Sequence, residues 1–293
     1  MTEYRTSIGS SDETSIRLLG HDLAGEMLGQ VGFGELAFWL VALRRPAPGE
    51  LRLFEAVLVA LADHGFTPTV IAARLTLSGA PEALQGAMAA GLLGGGSRFL
   101  GVTEDVGRFL ADTLAAAPAF ALPAAGPDPA APGSAPGSAP GSAAAPGTAA
   151  PGGLPDDEGY DALARQAVAA RHAAGPRVPG LGHPVHRAGD PRTPAILRIA
   201  AEEGLRGPHL RLFEAVGRVH PAVLGRTLPL NGAGVCGAAL ADLGFPVGVL
   251  RGFALLARAA GLLGHLAEEL RNPAAPGIYH EVDRAARYVP PEG

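Results

Sequence analysis

From Ala119 to Pro155 the chain is built almost entirely from Ala, Pro, Gly and Ser, with Ala-Pro-Gly-Ser repeated in register. A run with so few large apolar side chains cannot offset the entropy of ordering its own backbone. It reads as a disordered, fairly extended insertion and cannot be a catalytic element. A packed structure has to come from the residues on either side.

Those residues carry helical spacing. Phe54, Val57, Leu58 and Leu61 recur at i, i+3, i+4 and i+7 and predict a helix over 49–62 that ends at Asp63-His64-Gly65. Thr67-Pro68 opens another, with Pro in the first turn. Leu84, Met88, Gly91, Leu92 and Gly95 share one face of a following helix. Val102, Val106, Phe109 and Leu110 mark a further one, and 160–173 reads as helix as well. Thr193-Pro194 suits an N-cap and N1 pair, which predicts a helix over 194–203. Further helices are expected from Pro208 and over 246–270. No segment sustains two-residue alternation with β-branched side chains, so the chain reads as all-α.

With 293 residues, 47% of them hydrophobic, one large or two moderate domains can bury a core. A net charge of −5 gives no bulk reason to expect a nucleic-acid partner. All 23 basic residues are arginine, a bias that GC-rich coding explains alongside the abundant Ala, Gly and Pro. The single cysteine, Cys236, rules out an internal disulfide and a cysteine metal cluster, and the histidines lack metal-ligand spacing on one helix. The N-terminus has no signal-type apolar core and later apolar runs are broken by Arg, His or Asp, so a soluble cytoplasmic protein away from membranes is expected.

One stretch concentrates chemistry. Val178 to Arg192 holds three glycines, three prolines, two histidines, two arginines and an aspartate. Gly180 and Gly182 let the backbone approach a ligand, while Pro179, Pro184 and Pro191 stiffen the path. His183 could relay a proton, and Arg187 and Arg192 could grip carboxylate or phosphate. A polar loop whose His and Arg residues cap helix ends would show the same composition.

Gly-Leu-Gly-His-Pro-Val-His-Arg-Ala-Gly-Asp-Pro-Arg in this stretch resembles the Gly-Phe-Gly-His-x-Val-x-Arg-x-x-Asp-Pro-Arg signature of the citrate synthase superfamily. Ala62-Asp63-His64 resembles its Ala-Asp-His element, and Leu-Leu-Ala-Arg258-Ala-Ala-Gly its arginine element. The resemblance implies a citrate synthase-like fold: a large helical domain from 1–103 and 236–293, a smaller one over 104–235, and the active-site cleft between them. It implies His183 as the catalytic residue that takes a tertiary hydroxyl proton, with His64, Arg192 and Arg258 on the substrate carboxylates. Coenzyme A, brought as part of the substrate, would meet the backbone of Val178, Gly180 and Gly182, and Arg187 would meet its phosphates. No metal and no permanently bound cofactor are implied, and a homodimer is expected.

Two positions depart from the synthase pattern. Phe99 stands where synthases carry the histidine that polarises acetyl-CoA, which favours the citryl-CoA lyase branch, similar to the lyase part of ATP-citrate lyase. Ala233 stands where the family has its catalytic aspartate, and Asp242 is too far along to replace it. A citryl-CoA lyase is therefore implied, cleaving citryl-CoA or a related 3-hydroxyacyl-CoA. A catalytically weak acyl-CoA-binding paralogue, paired with an active partner, is the second reading, and a citrate synthase the third.

Overall fold

The computed structural model describes residues 3–117 and 156–291. The insertion expected over 119–155 lies outside the described residues.

Eleven α-helices are described: α1 (Phe33–Ala42), α2 (Pro48–Ala62), α3 (Pro68–Gly79), α4 (Leu84–Leu93), α5 (Val102–Ala115), α6 (Asp157–Ala173), α7 (Arg192–Glu202), α8 (Pro208–Leu224), α9 (Gly232–Asp242), α10 (Leu250–Arg271) and α11 (Ala275–Ala285). Ahead of them three short antiparallel strands, β1 (Gly9–Ser11), β2 (Ile16–Leu18) and β3 (His21–Asp22), pair in sequence order. The sequence reading had no strand there, because segments of two or three residues are too short to show alternation.

The main core gathers residues from α1, α2 and α5 to α10. Its aromatic centre is Phe38, Phe54, Phe245 and Phe253, with ring centroids from 4.4 to 5.6 Å apart. Edge-to-face contacts of this kind add to the burial of apolar area. A second cluster joins Val70, Ala73 and Leu77 of α3 to Ala87 of α4 and Leu262 and Leu266 of α10. Helix α10 is long and apolar enough by composition to cross a membrane, yet it packs against α2, α3 and α4 and buries Arg258 and Glu269.

Three helix starts differ from expectation, α6 among them, beginning at Asp157 rather than at 160. Helix α7 begins at Arg192 with Pro191 at its N-cap, two residues early. Thr193 does not cap it: its hydroxyl donates to the Leu230 carbonyl at 3.0 Å, tying this helix to the turn before α9. Residues 247–249 form a 3₁₀ turn ahead of α10, so the helix expected from Pro246 starts at Leu250. The polar C-terminal tail contains α11, held by Glu269, whose carboxylate accepts the N–H groups of Ala274 and Ala275.

Candidate active site

The glycine-rich loop is zipped to the turn that starts α9. Leu181 and Leu230 form an antiparallel bridge, the Gly182 N–H donates to the Pro229 carbonyl at 2.8 Å, and the Asn231 N–H donates to the Gly180 carbonyl at 2.9 Å. Asn231 does three jobs, since its amide also donates to the Gly182 carbonyl while its oxygen caps the Gly234 N–H. From the other side, His220 in α8 accepts the Leu228 N–H on Nε2 at 2.9 Å, which leaves its Nδ1–H for the Val216 carbonyl. Gly180 sits at φ +80°, and a Cβ there would lie 2.6 Å from the Phe213 ring. Its missing side chain thus serves the packing of α8 against the loop, whereas the equivalent space at Gly182, φ +86°, is open.

These elements line a cavity of about 1290 Å³. It brings together His64, His183, Arg192 and Arg258, with Val178, Gly180 and Gly182 on its wall. Phe99 and Ala233 also line it. Arg187 does not: it is exposed and outside the lining, while Arg98, Arg108, Arg171, Arg177 and Arg226 line the cavity instead. Arg171 and Arg177 flank the end of α6 and the others come from separate segments, so no local pattern in the sequence marks the five as a group.

His183 is oriented by backbone donors. Its Nδ1 accepts the N–H groups of Val185 at 3.1 Å and His186 at 2.9 Å. An imidazole has one lone pair when neutral, so the proton is on Nε2. Burial pushes the His183 imidazole below its ordinary value; Asp190 opposes this, while His186, His64 and Arg192 add to it. In this tautomer His183 presents an Nε2–H donor.

His64 follows the end of α2 without capping it. Asp63 is the C-cap, and the His64 Nε2 is buried without a hydrogen-bond partner. Its ring lies 5.0 Å from that of His183 and 5.3 Å from that of His186, centroid to centroid. Ring nitrogens of the three histidines all lie within 4.8 Å of one another, a spacing that invites a metal ion. The donor chemistry does not fit one. His183 has committed its lone pair to two backbone N–H groups, and Arg192 and Arg258 share the cavity.

The two arginines are held differently. Arg192 forms a bidentate pair with Asp190, Nε to Oδ1 at 3.0 Å and Nη2 to Oδ2 at 2.7 Å, and its Nη1 donates to the Ala60 carbonyl at 3.1 Å. Burial alone would raise the Asp190 pKa, but Arg192 and the Gly232 N–H hold the carboxyl well below the usual carboxylate range. Arg258 is 5% exposed, and its Nε and Nη1 have no hydrogen-bond partner. Burial pushes its guanidinium below the ordinary value, opposed by Asp63 at 3.5 Å. A buried cation on a cavity wall with a single carboxylate neighbour is suited to a further carboxylate.

Asp63 is itself tethered. Arg74 donates to Nδ1 of His265 at 2.9 Å, so the His265 Nε2–H donates to the Asp63 carboxylate, also at 2.9 Å. Asp242 is not near this chemistry. It accepts the N–H groups of His209 and Leu210 at the start of α8 and lies outside the cavity lining. Cys236 is fully buried, and burial pushes its thiol up to about 12, which fits a small core residue.

The family model "Citrate synthase, C-terminal domain" matches residues 24–279. The chain belongs to the citrate synthase family. Its fold is similar to that of citryl-CoA lyase from Hydrogenobacter thermophilus, at 24% identity and TM-score 0.75, covering 99% of this chain and 96% of that one. It is similar to ATP citrate lyase from Methanothrix soehngenii in complex with citrate and coenzyme A, at 19% identity and TM-score 0.71, covering all of this chain and 42% of that one. Citrate synthase from Thermoplasma acidophilum, a ternary complex with carboxymethyl coenzyme A and oxaloacetate, matches at 15% identity and TM-score 0.60, over 90% of this chain and 58% of that one. No curated protein sequence matches the chain.

Proposed function

We propose that the cavity holds an acyl-CoA beside a multiply charged carboxylate and makes or breaks the carbon–carbon bond next to the thioester. The substrate would be citryl-CoA or a related 3-hydroxyacyl-CoA, yielding acetyl-CoA and oxaloacetate or another 2-oxo acid. The observation that carries this reading is His183 on the cavity wall, its Nδ1 locked by backbone N–H groups, sharing the cavity with a buried Arg258 whose Nε has no hydrogen-bond partner and whose Nη1 has only the Asp63 carboxylate, 3.5 Å away.

The chemistry follows from these groups. Arg258 and Arg192, with His64, bind the carboxylates through charge-assisted hydrogen bonds. The His183 Nε2–H donates to the oxygen that alternates between hydroxyl and carbonyl, stabilising negative charge that develops on it. Coenzyme A lies along Val178–Gly182, and the arginines at 98, 171, 177 and 226 supply cations for its phosphates. The protein works as a homodimer in the cytoplasm, with a smaller helical domain over 104–235 closing on the rest.

A second reading rests on one feature. Ala233 presents a methyl group to the cavity, and the carboxylate that reaches this turn, Asp190, is saturated by Arg192 and the Gly232 N–H. General acid–base catalysis typically contributes about 10²–10⁴-fold. Without it, the protein would act as an acyl-CoA-binding paralogue, alone or in a heteromer with an active partner.

Citryl-CoA incubated with the purified protein, with oxaloacetate release as readout, separates the two. Release by the natural chain that is lost in His183→Ala establishes a lyase. Release only by Ala233→Asp establishes a binding protein.

A further inference from the structure

Opening the carbon–carbon bond of a 3-hydroxyacyl-CoA calls for two proton transfers. A proton leaves the hydroxyl oxygen as the bond breaks, and a proton joins the α-carbon of the thioester. A single carbon separates that oxygen from that α-carbon, so one base that reaches both is enough. His183 does not present it, because its Nδ1 lone pair accepts two backbone N–H groups and Nε2 carries the proton. Ala233 presents a methyl group.

His64 does present one. Its Nε2 is buried and has no hydrogen-bond partner, on a residue that lines the cavity. Buried polar atoms are nearly always paired, and an unpaired one on a cavity wall is explained by a ligand that pairs with it. The His64 and His183 rings lie 5.0 Å apart, and ring nitrogens of the two come within 4.8 Å of each other. Two nitrogens that each hydrogen-bond the same tetrahedral oxygen at about 2.8 Å stand about 4.6 Å apart. The pair is therefore spaced to share one substrate oxygen, with His183 donating its Nε2–H and His64 accepting on Nε2. The other His64 nitrogen, Nδ1, then carries its proton and donates it to a substrate carboxylate, which keeps the lone pair on Nε2. Two carboxylates of α5, Asp105 and Asp112, line the same cavity. Asp112 is exposed, and neither is among the charged groups that act most on His183, which are Asp190, His186, His64 and Arg192.

We infer that His64 is the acid–base residue of the carbon–carbon step, carrying the proton between the hydroxyl oxygen and the α-carbon that a methyl group at 233 cannot move. The inference rests on the proposed reading that a 3-hydroxyacyl-CoA occupies this cavity. In cleavage, the His64 Nε2 lone pair takes the hydroxyl proton, the oxygen forms its double bond to carbon, and the pair of the breaking carbon–carbon bond becomes the enolate of the thioester. The enolate carbon then takes the proton from Nε2, and His64 returns to its starting state. Condensation runs the same steps backwards. The sum is 3-hydroxyacyl-CoA giving acyl-CoA and a 2-oxo acid, with no proton gained or lost and no oxidant or reductant.

The test compares the full natural chain with His64→Asn, whose amide keeps a donor near Nδ1 and moves no proton. Oxaloacetate affinity is read by calorimetry, and oxaloacetate release from citryl-CoA is read in a single turnover. His64→Asn should bind oxaloacetate within about threefold of the natural chain. Its cleavage step should fall about 10²–10⁴-fold, the usual worth of general acid–base catalysis. His64→Ala should regain part of its rate when imidazole is added, a rescue that a misfolded cavity would not show. Asp105→Asn and Asp112→Asn should keep the natural rate. Cleavage that survives His64→Asn, or that disappears in Asp105→Asn instead, would sink this inference and leave the proposed function standing. A loss in His64→Asn confined to oxaloacetate affinity would make His64 a binding residue only and would also overturn it. A natural chain that binds citryl-CoA, fails to cleave it and exchanges no acetyl-CoA methyl protons with deuterated water would overturn it in favour of the binding paralogue. Failure to bind either ester would sink both.

Discussion

Asp190 and Arg192 meet as a bidentate ion pair two residues apart, and the same Asp190 oxygen that holds Arg192 Nη2 at 2.7 Å accepts the Gly232 N–H at 2.7 Å. One carboxylate therefore fixes the end of the signature loop, the start of α7 and the first turn of α9. The side chain is buried, so each of these bonds counts for more than it would at the surface.

Asp190→Asn keeps the shape and removes the charge, leaving Arg192 without its anion and turning an amide or its oxygen towards the Gly232 N–H. The expected loss is about 3 kcal/mol, the low end for breaking a buried pair from one side, read from urea unfolding. The Asp190 pKa is depressed in the folded state, so its contribution is complete above the unfolded carboxylate value of about 3.9 and is lost as pH falls towards the folded value. The variant should lack this acid-side loss. An unchanged acid limb would show that another carboxylate governs it.

His183 should be neutral at pH 7 with its proton on Nε2, which ¹⁵N chemical shifts report directly. Its protonation should fall below the ordinary histidine value of about 6.5, because burial disfavours the cation. Since Asp190 raises the His183 pKa, Asp190→Asn should lower it further. A signal from Nδ1–H at neutral pH would contradict the donor role assigned to Nε2.

Much of this site was legible because its parts are contiguous. The loop from Val178 to Arg192 carries His183 and Arg192 within ten residues, and its glycines and prolines mark it as irregular. His64 and Arg258 were reached only through the resemblance, since a histidine after a helix and an arginine on an amphipathic helix usually have solvated or capping roles. What could not be read are long-range pairs: Arg74 meets Glu269 195 residues away and His265 191 residues away, and neither spacing has a local signature. The tautomer of His183 was hidden for a related reason. The direction of its proton is set by two backbone N–H groups, and side-chain identity carries no trace of them.

Gly180→Ala tests whether the loop glycines serve packing or ligand approach. The left-handed φ and the contact with Phe213 both penalise a methyl group, and a loss of about 2–4 kcal/mol is expected from strain and overpacking together. Adding Phe213→Leu should recover the packing part and leave the backbone part. Gly182→Ala, with open space around its Cβ, should show the backbone penalty alone. Equal losses at the two positions would mean that Phe213 does not constrain the loop.

His265→Ala should weaken oxaloacetate binding without touching any residue that contacts it. In the intact chain the Arg74–His265 connection draws the Asp63 carboxylate away from Arg258, which stands 3.5 Å off. Removing the imidazole frees Asp63 to close that gap and to occupy the donors a substrate carboxylate would use. An internal anion competing for one arginine should lower affinity about tenfold, or about 1.4 kcal/mol, measured by calorimetry. Adding Asp63→Asn removes the competitor and should restore most of the affinity, a rescue that general destabilisation of the cavity would not show. If the double variant binds as poorly as His265→Ala alone, the tether does not act through Arg258.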